Sequence, residues 1–191
     1  MEAIEALSTR RSPPKLVDPA PDDAQLHSIL GTAIRAPDHG RLRPWRFIIL
    51  RGANRARFGE IQADALKARA PDVPAEVLER EKQKPLRAPL IVVIAASIHE
   101  GHKIPVIEQI LAAGAAAQNV MVAAHAMGFG AMWRTGEPAY DAKVKEALGI
   151  PAGDAIVGFI YLGTPQGRTL IPPDEPGLKD FVREWQGAPA H

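Results

Sequence analysis

The chain has 191 residues, 46% of them hydrophobic and 24% charged, which suits one domain with a sizeable core. A formal net charge of +1 provides no bulk attraction for nucleic acid. The absence of cysteine excludes disulfides, thiolate nucleophiles, Fe–S clusters and cysteine zinc sites, and it fits a reducing cytoplasm.

The first residues, "MEAIEALSTRRS", put acidic groups ahead of any apolar stretch, so no secretory signal is expected. Ile4 and Leu7 stand at helical spacing within 2–8. Leu26, Ile29, Leu30, Ala33 and Ile34 form one apolar face behind a front of turn residues and Asp, which predicts a helix at about 22–35. "RFIILRG" reads as a short strand, 54–69 as a helix, and 74–84 as a polar, highly charged helix. "APLIVVIAAS" is a continuous β-branched run of the kind buried on both faces of a sheet. The segment at about 105–127 predicts a long helix of roughly 33 Å, apolar nearly all round and therefore covered on most sides. Its Gln118, Asn119 and His125 favour a buried helix over a membrane span. "GFGAMWRTG" reads as a Gly-punctuated turn into a short strand, 141–148 as a short helix, and "DAIVGFIYLG" as another buried strand. After Pro165 the chain is rich in Pro, Gly and charge, so 166–191 is expected as an extended tail without its own core. The order of elements predicts an α+β or α/β fold with a central sheet covered by helices.

Three short pieces carry candidate binding chemistry. Arg10, Arg11 and Ser12 offer forked guanidinium donors and a hydroxyl, suited to a phosphate, or else a basic helix end facing water. Arg35 and His39 sit in "RAPDHGRLRPW", where Pro37 and Pro44 stiffen the connection; they are either pre-set ligand contacts or ordinary turn residues. Trp133, Arg134 and Thr135 offer a flat apolar face, a cation and a hydroxyl, or else a buried Trp with a snorkelling Arg. His99 and His102 flank Glu100 in "HEGH", but a structural zinc site needs four ligands, so a solvated loop and no metal are expected. His125 reads as a satisfied core histidine. The sequence contains no GxSxG, HExxH, Walker loop or GxGxxG. Without a nucleophile and base, any catalysis would fall to a bound cofactor.

Taken together, these pieces resemble the FMN-dependent nitroreductase family, in its compact bacterial branch. The likeness runs through "RRS", "RAPDH", "PWRF", "HKIP", "AAAQNVMVAAHAMGFGAMWRTG" and "IVGFIYLGTP", and covers about residues 2–165. It implies an α+β sandwich, with a central mixed sheet flanked by helices and a long buried central helix. Residues 1–165 would form a single FMN-binding domain. The resemblance further implies a homodimer with FMN at the subunit interface. Arg10, Arg11 and Ser12 would bind the FMN phosphate and ribityl region. Arg35 and His39 would reach the flavin from the other subunit, and Trp133, Arg134 and Thr135 would complete the pocket. Ala123, Ala124, His125, Ala126, Met127 and Gly128 would be linked with the nicotinamide nucleotide. Pro14 stands where family members often carry a basic residue, with Lys15 next.

The implied activity is NAD(P)H oxidation in ping-pong order, with hydride passing to FMN and on to a nitroaromatic, quinone or related planar acceptor. No side chain would act as a covalent catalyst. Neither nucleic acid nor membrane is an expected partner. Two alternatives share the scaffold: a specialised flavoprotein such as a dehalogenase, enoate reductase or flavin-fragmenting enzyme, and an FMN-binding module without turnover. The charged insert at about 68–86 is the candidate pocket lid.

Overall fold

The computed structural model describes residues 1–167 and 177–187. In chain order the elements are α1 (Ala3–Thr9), β1 (Leu16–Val17), α2 (Asp23–Ala33), β2 (Trp45–Arg51), α3 (Ala53–Arg69), α4 (Ala75–Gln83), β3 (Leu90–Ala96), α5 (Val106–Ala126), β4 (Gly130–Arg134), α6 (Ala142–Ala147) and β5 (Ala155–Pro165). Short 3-10 turns lie at His39–Arg41, Lys84–Arg87, Glu137–Ala139 and Leu178–Asp180. The fold is α+β: one five-stranded sheet with helices on both faces.

β2 pairs with β3, β3 with β5, and β5 with β4, while β1 pairs with the far end of β5 at Thr164 and Pro165. β3 and β4 run parallel to each other but flank β5, so every described pairing is antiparallel. The connections explain these directions. A single helix, α5, carries the chain from β3 to β4 and yields parallel strands. The two helices α3 and α4 form a hairpin that returns the chain to the end it left, so β2 and β3 are antiparallel. That hairpin is tight: a Cβ on Gly59 would lie 2.2 Å from the Lys82 carbonyl oxygen, so only glycine fits.

All seven residues of β3 are buried, because alternate side chains serve two cores. Leu90, Val92 and Ile94 join Leu26 and Ile29 of α2 and Ala116, Ala117 and Val120 of α5. Ile91, Val93 and Ala95 join Phe58 of α3, Val144 of α6 and Phe159 of β5. α2 starts with a reciprocal capping box between Asp22 and Gln25. Asp141 caps α6 through the N–H groups of Lys143 and Val144 and pairs with Arg69. Burial would raise the Asp141 carboxyl, but the Val144 N–H, the Arg69 guanidinium and the Lys143 N–H hold it below its usual value.

α5 departs in one respect from the cover its composition demands. Ala112, Ala113, Ala116, Ala117, Val120 and Ala124 are sealed against the sheet, but Ile107 and Leu111 are 59% and 63% exposed. Nothing else in the described chain covers that stripe, although the helix is long and apolar enough by composition to cross a membrane. The expected tail 166–191 is described only at 166, 167 and 177–187. There Phe181 and Trp185 are exposed and belong to neither core.

Candidate functional site

α1 ends at Thr9, and its last turn docks on the C-terminal end of α5. The Thr9 hydroxyl donates to the Glu5 carbonyl at 2.6 Å and lies 2.9 Å from His125 Nε2. With its hydrogen spent on Glu5, the hydroxyl accepts from the imidazole, which puts the His125 proton on Nε2. Burial, then the charges of Arg10 and Arg11, lower the His125 pKa from 6.5, so the neutral ring is favoured. Arg10 and Ser12 are in register with each other: the guanidinium donates to Ser12 Oγ at 3.0 Å. Arg11 serves differently, donating to the carbonyls of Ser8 and Arg10 and so closing the end of α1.

His39 lies at the opposite end of α5, with Nδ1 2.5 Å from Glu108 Oε2. Glu108 and His125 are 17 positions apart on one helix, which corresponds to about 25 Å along its axis. His39 and the Arg10–Ser12 pair therefore occupy opposite ends of a single chain. The loop carrying His39 is held in an uncommon backbone: Arg41 and Arg43 have φ of 57° and 51°. Asp38 stabilises it by accepting from the Arg43 N–H at 2.7 Å. Arg35 lies toward the His125 end, in a surface groove shared with Met1, Ala6, Asn119, Ala123 and Ala126.

The third cluster is split by strand alternation. Trp133 packs with the α5-side core and donates from Nε1 to the Val157 carbonyl of β5 at 3.2 Å. A Cβ on Gly158 would sit 2.1 Å from that Nε1, so glycine is what lets the indole settle there. The Arg134 guanidinium lies on the other face of the sheet, 5.7 Å from the Tyr161 ring centre. With Thr135 it borders a cavity of about 420 Å³ that is also walled by α3 and the charged insert. The insert thus encloses Arg134, but not Arg10, Ser12, Arg35 or His39.

The nicotinamide candidates are not equivalent. Ala124 is wholly inside the core, whereas Ala123 lines the Arg35 groove and Met127 is 40% exposed beside the left-handed Gly128. His99 and His102 belong to a loop pinned by buried Gln109, which accepts from the His99 N–H and donates to the Ile104 carbonyl. Two residues without a signal in the sequence prove central. Glu108 anchors His39, and Tyr161 sits under Arg134 within a strand whose apolar run conceals it.

Chemically, the clusters share one property. Among the described residues, none of Arg10, Arg11, Arg35 and Arg134 forms an ion pair, whereas Arg51 and Arg69 pair with Asp23 and Asp141. Guanidiniums held by hydroxyls, carbonyls and rings remain available to an anion.

Comparison with known proteins agrees with this architecture. The Nitroreductase family model matches residues 7–164. The chain is 40% identical over 183 residues to "Putative NAD(P)H nitroreductase YdjA" of Escherichia coli strain K12, covering 95% of this chain and 98% of that protein. A Haemophilus influenzae relative named "Putative NAD(P)H nitroreductase" is 34% identical over 183 residues, with the same 95% and 98% coverage. Among solved structures, a nitroreductase-like family protein from Bacillus cereus matches with a TM-score of 0.80 at 21% identity, covering 98% of this chain and 97% of that one. A Desulfovibrio desulfuricans protein described as "a putative nitroreductase in complex with fmn" matches with a TM-score of 0.71 at 24% identity, covering 98% and 99%. At those identities the structural likeness is one of fold. The family model's reach and the relatives' identity settle membership: the chain belongs to the Nitroreductase family.

Proposed function

We propose that the protein is a homodimeric FMN-dependent NAD(P)H oxidoreductase with its flavin at the subunit interface. One observation carries this reading. Two candidate cofactor contacts, Arg10–Ser12 and His39, lie about 25 Å apart along α5, and the His39 end of that helix leaves Ile107 and Leu111 uncovered. A two-fold axis through the middle of α5 would cross the helix with its copy and set each end against the partner's opposite end. His39 of one subunit would then approach Arg10 of the other. Burying Ile107 and Leu111 would contribute roughly 1.5–3 kcal/mol for each side chain. The exposed Phe181 and Trp185 of the tail are further surface for such a partner.

The donor set suits FMN. A phosphate accepts forked charge-assisted bonds, and Arg10 with Ser12 offers them free of any carboxylate. The FMN and NAD(P)H named for proteins of this fold and for its relatives support the same assignment. When bound, FMN supplies the two-electron chemistry, taking hydride from NAD(P)H and serving a nitroaromatic, quinone or related planar acceptor. The chain's part is binding, placement and charge. Arg10 and Ser12 hold the phosphate, and Arg11 closes α1 so that both point correctly. Arg35 and His39 arrive from the partner, with Glu108 fixing the imidazole. Trp133 and Thr135 contribute the end of β4, with the Trp133 indole anchored on Val157. Arg134 adds positive potential from the opposite face of the sheet. For the nicotinamide nucleotide, His125, Met127 and Gly128 are better placed than the core residue Ala124.

The test is the visible spectrum of purified protein, before and after anaerobic NADH and NADPH. The expected result is a yellow protein bleached by at least one nucleotide. A flavin that neither nucleotide bleaches defeats the oxidoreductase reading, and a protein that takes up no FMN defeats the cofactor reading as well.

A further inference from the structure

The cavity on the far side of the sheet from α5 has no part in the flavin geometry beyond its rim at Trp133, Arg134 and Thr135. It measures about 420 Å³, within the range of small-molecule sites. Its lining contains four cations, Arg69, Lys84, Arg87 and Arg134, against the carboxylates of Glu81 and Glu137. Arg69 is spent on Asp141, and Lys84 on Glu81. Among the described residues Arg87 and Arg134 form no ion pair, and both stand close enough to Tyr161 to act on its hydroxyl. Burial pushes that hydroxyl up to about 12, so it stays a neutral donor across the physiological range.

A second group in the same wall is unsatisfied. Gln62 of α3 is only 4% exposed and lines the cavity; its side chain makes no hydrogen bond among the described residues, and its Oε1 as placed is closed off from solvent. A buried amide oxygen without a partner costs about 1–3 kcal/mol unless something donates to it. Leu66, Met132 and Phe159 supply apolar wall in the same cavity. The cavity thus has cations, apolar side chains and an unpartnered amide in its wall.

We propose that this cavity is a second binding site, for a small aromatic carboxylate that carries a hydroxyl group. The carboxylate meets Arg87 and Arg134, the ring lies against Phe159 and Leu66, and the Gln62 amide turns over so that its closed-off oxygen accepts from the hydroxyl. The charged insert supplies Arg87 and the Lys84–Glu81 pair, so it acts as the wall of this site. The inference stands on this face of the sheet alone and does not require FMN at the interface.

The experiment is calorimetric titration of the purified, full-length protein, with whatever flavin it carries, using 4-hydroxybenzoate, benzoate and inorganic phosphate. Saturable binding of 4-hydroxybenzoate, weaker binding of benzoate and none of phosphate are expected. Arg87→Ala and Gln62→Leu should each weaken 4-hydroxybenzoate about tenfold or more. Gln62→Leu replaces an orphaned amide with an apolar group of similar size and is expected to fold. Flavin content is measured in the same samples and should not change, which separates this site from the interface. Three results overturn the proposal: no saturable binding, equal affinity for the three probes, or binding indifferent to both substitutions.

Discussion

Ala113, Ala116 and Ala117 of α5 are entirely buried within the chain, while Ile107 and Leu111, on another stripe of the same helix, remain more than half exposed. The two stripes are both apolar. Their difference lies in what covers them: strands and α2 of the same chain on one side, nothing in the described chain on the other. An apolar helix surface states that burial is needed without saying whether it comes from within the chain or from a second copy. Here the covered stripe belongs to the folding of the subunit, and in the proposed dimer the open stripe serves assembly.

The largest contrast comes from placing a charge on each stripe. Ala116→Asp buries an unpaired carboxylate in the core and should cost more than about 4 kcal/mol, a large part of a domain's stability. No soluble folded protein is expected. Leu111→Lys should leave a folded subunit with a normal circular dichroism spectrum, half the assembled mass by light scattering, and no retained flavin. If Leu111→Lys remains dimeric and yellow, the open stripe is not the interface.

A finer test uses the two ends of α5. Arg10→Ala and His39→Ala should each lose FMN, by roughly 1.5–3 kcal/mol for each charge-assisted bond removed. In a mixed dimer of the two variants, one site draws Arg10 and His39 from the unmodified parts of both chains. Co-expression should therefore restore bound flavin and turnover to a fraction of the sites. No recovery in purified heterodimers would mean that both residues serve one site within a single subunit.

The smallest effect concerns His125, which joins α1 to the end of α5. Its pKa lies below 6.5 in the folded chain, because burial and then Arg10 and Arg11 disfavour the cation. The unfolded chain therefore binds the proton more readily in the window below 6.5, and stability falls as pH drops through it. The Tm of flavin-free protein should decline over that window, and His125→Gln should flatten the decline. Bound FMN should flatten it too, since its phosphate offsets the two arginine charges. A decline unchanged by either would remove His125 from the phosphate end of the site.

Much of the fold is legible in the sequence, because strong periodicity survives in a single chain. The 105–127 helix and the "LIVVIAA" strand appear within a residue or two of expectation. β1 is not foreseen: two residues between prolines have no period, and its existence depends on pairing with Thr164 and Pro165. The strand directions depend on whether one helix or two intervene, which hydropathy does not encode. In the site, the "RRS" motif marks the right place but not the division of labour. Arg10 and Ser12 pair, while Arg11 closes the helix, a difference set by backbone exit angles. Adjacent Trp133 and Arg134 look like one cluster in sequence, yet a strand sends neighbours to opposite faces.

The stretch of α5 between Glu108 and His125 also acts as a ruler. Loops elsewhere can gain or lose residues with modest cost. Removing one helical turn here would shorten the ruler by about 5.4 Å, and three or four residues do not make a whole number of turns, so the far end would also rotate. Two half-sites on separate subunits would then fall out of register together. In a lineage built this way, the length of the central helix should vary less than that of any loop, and the acceptable length should be set by the cofactor it has to frame.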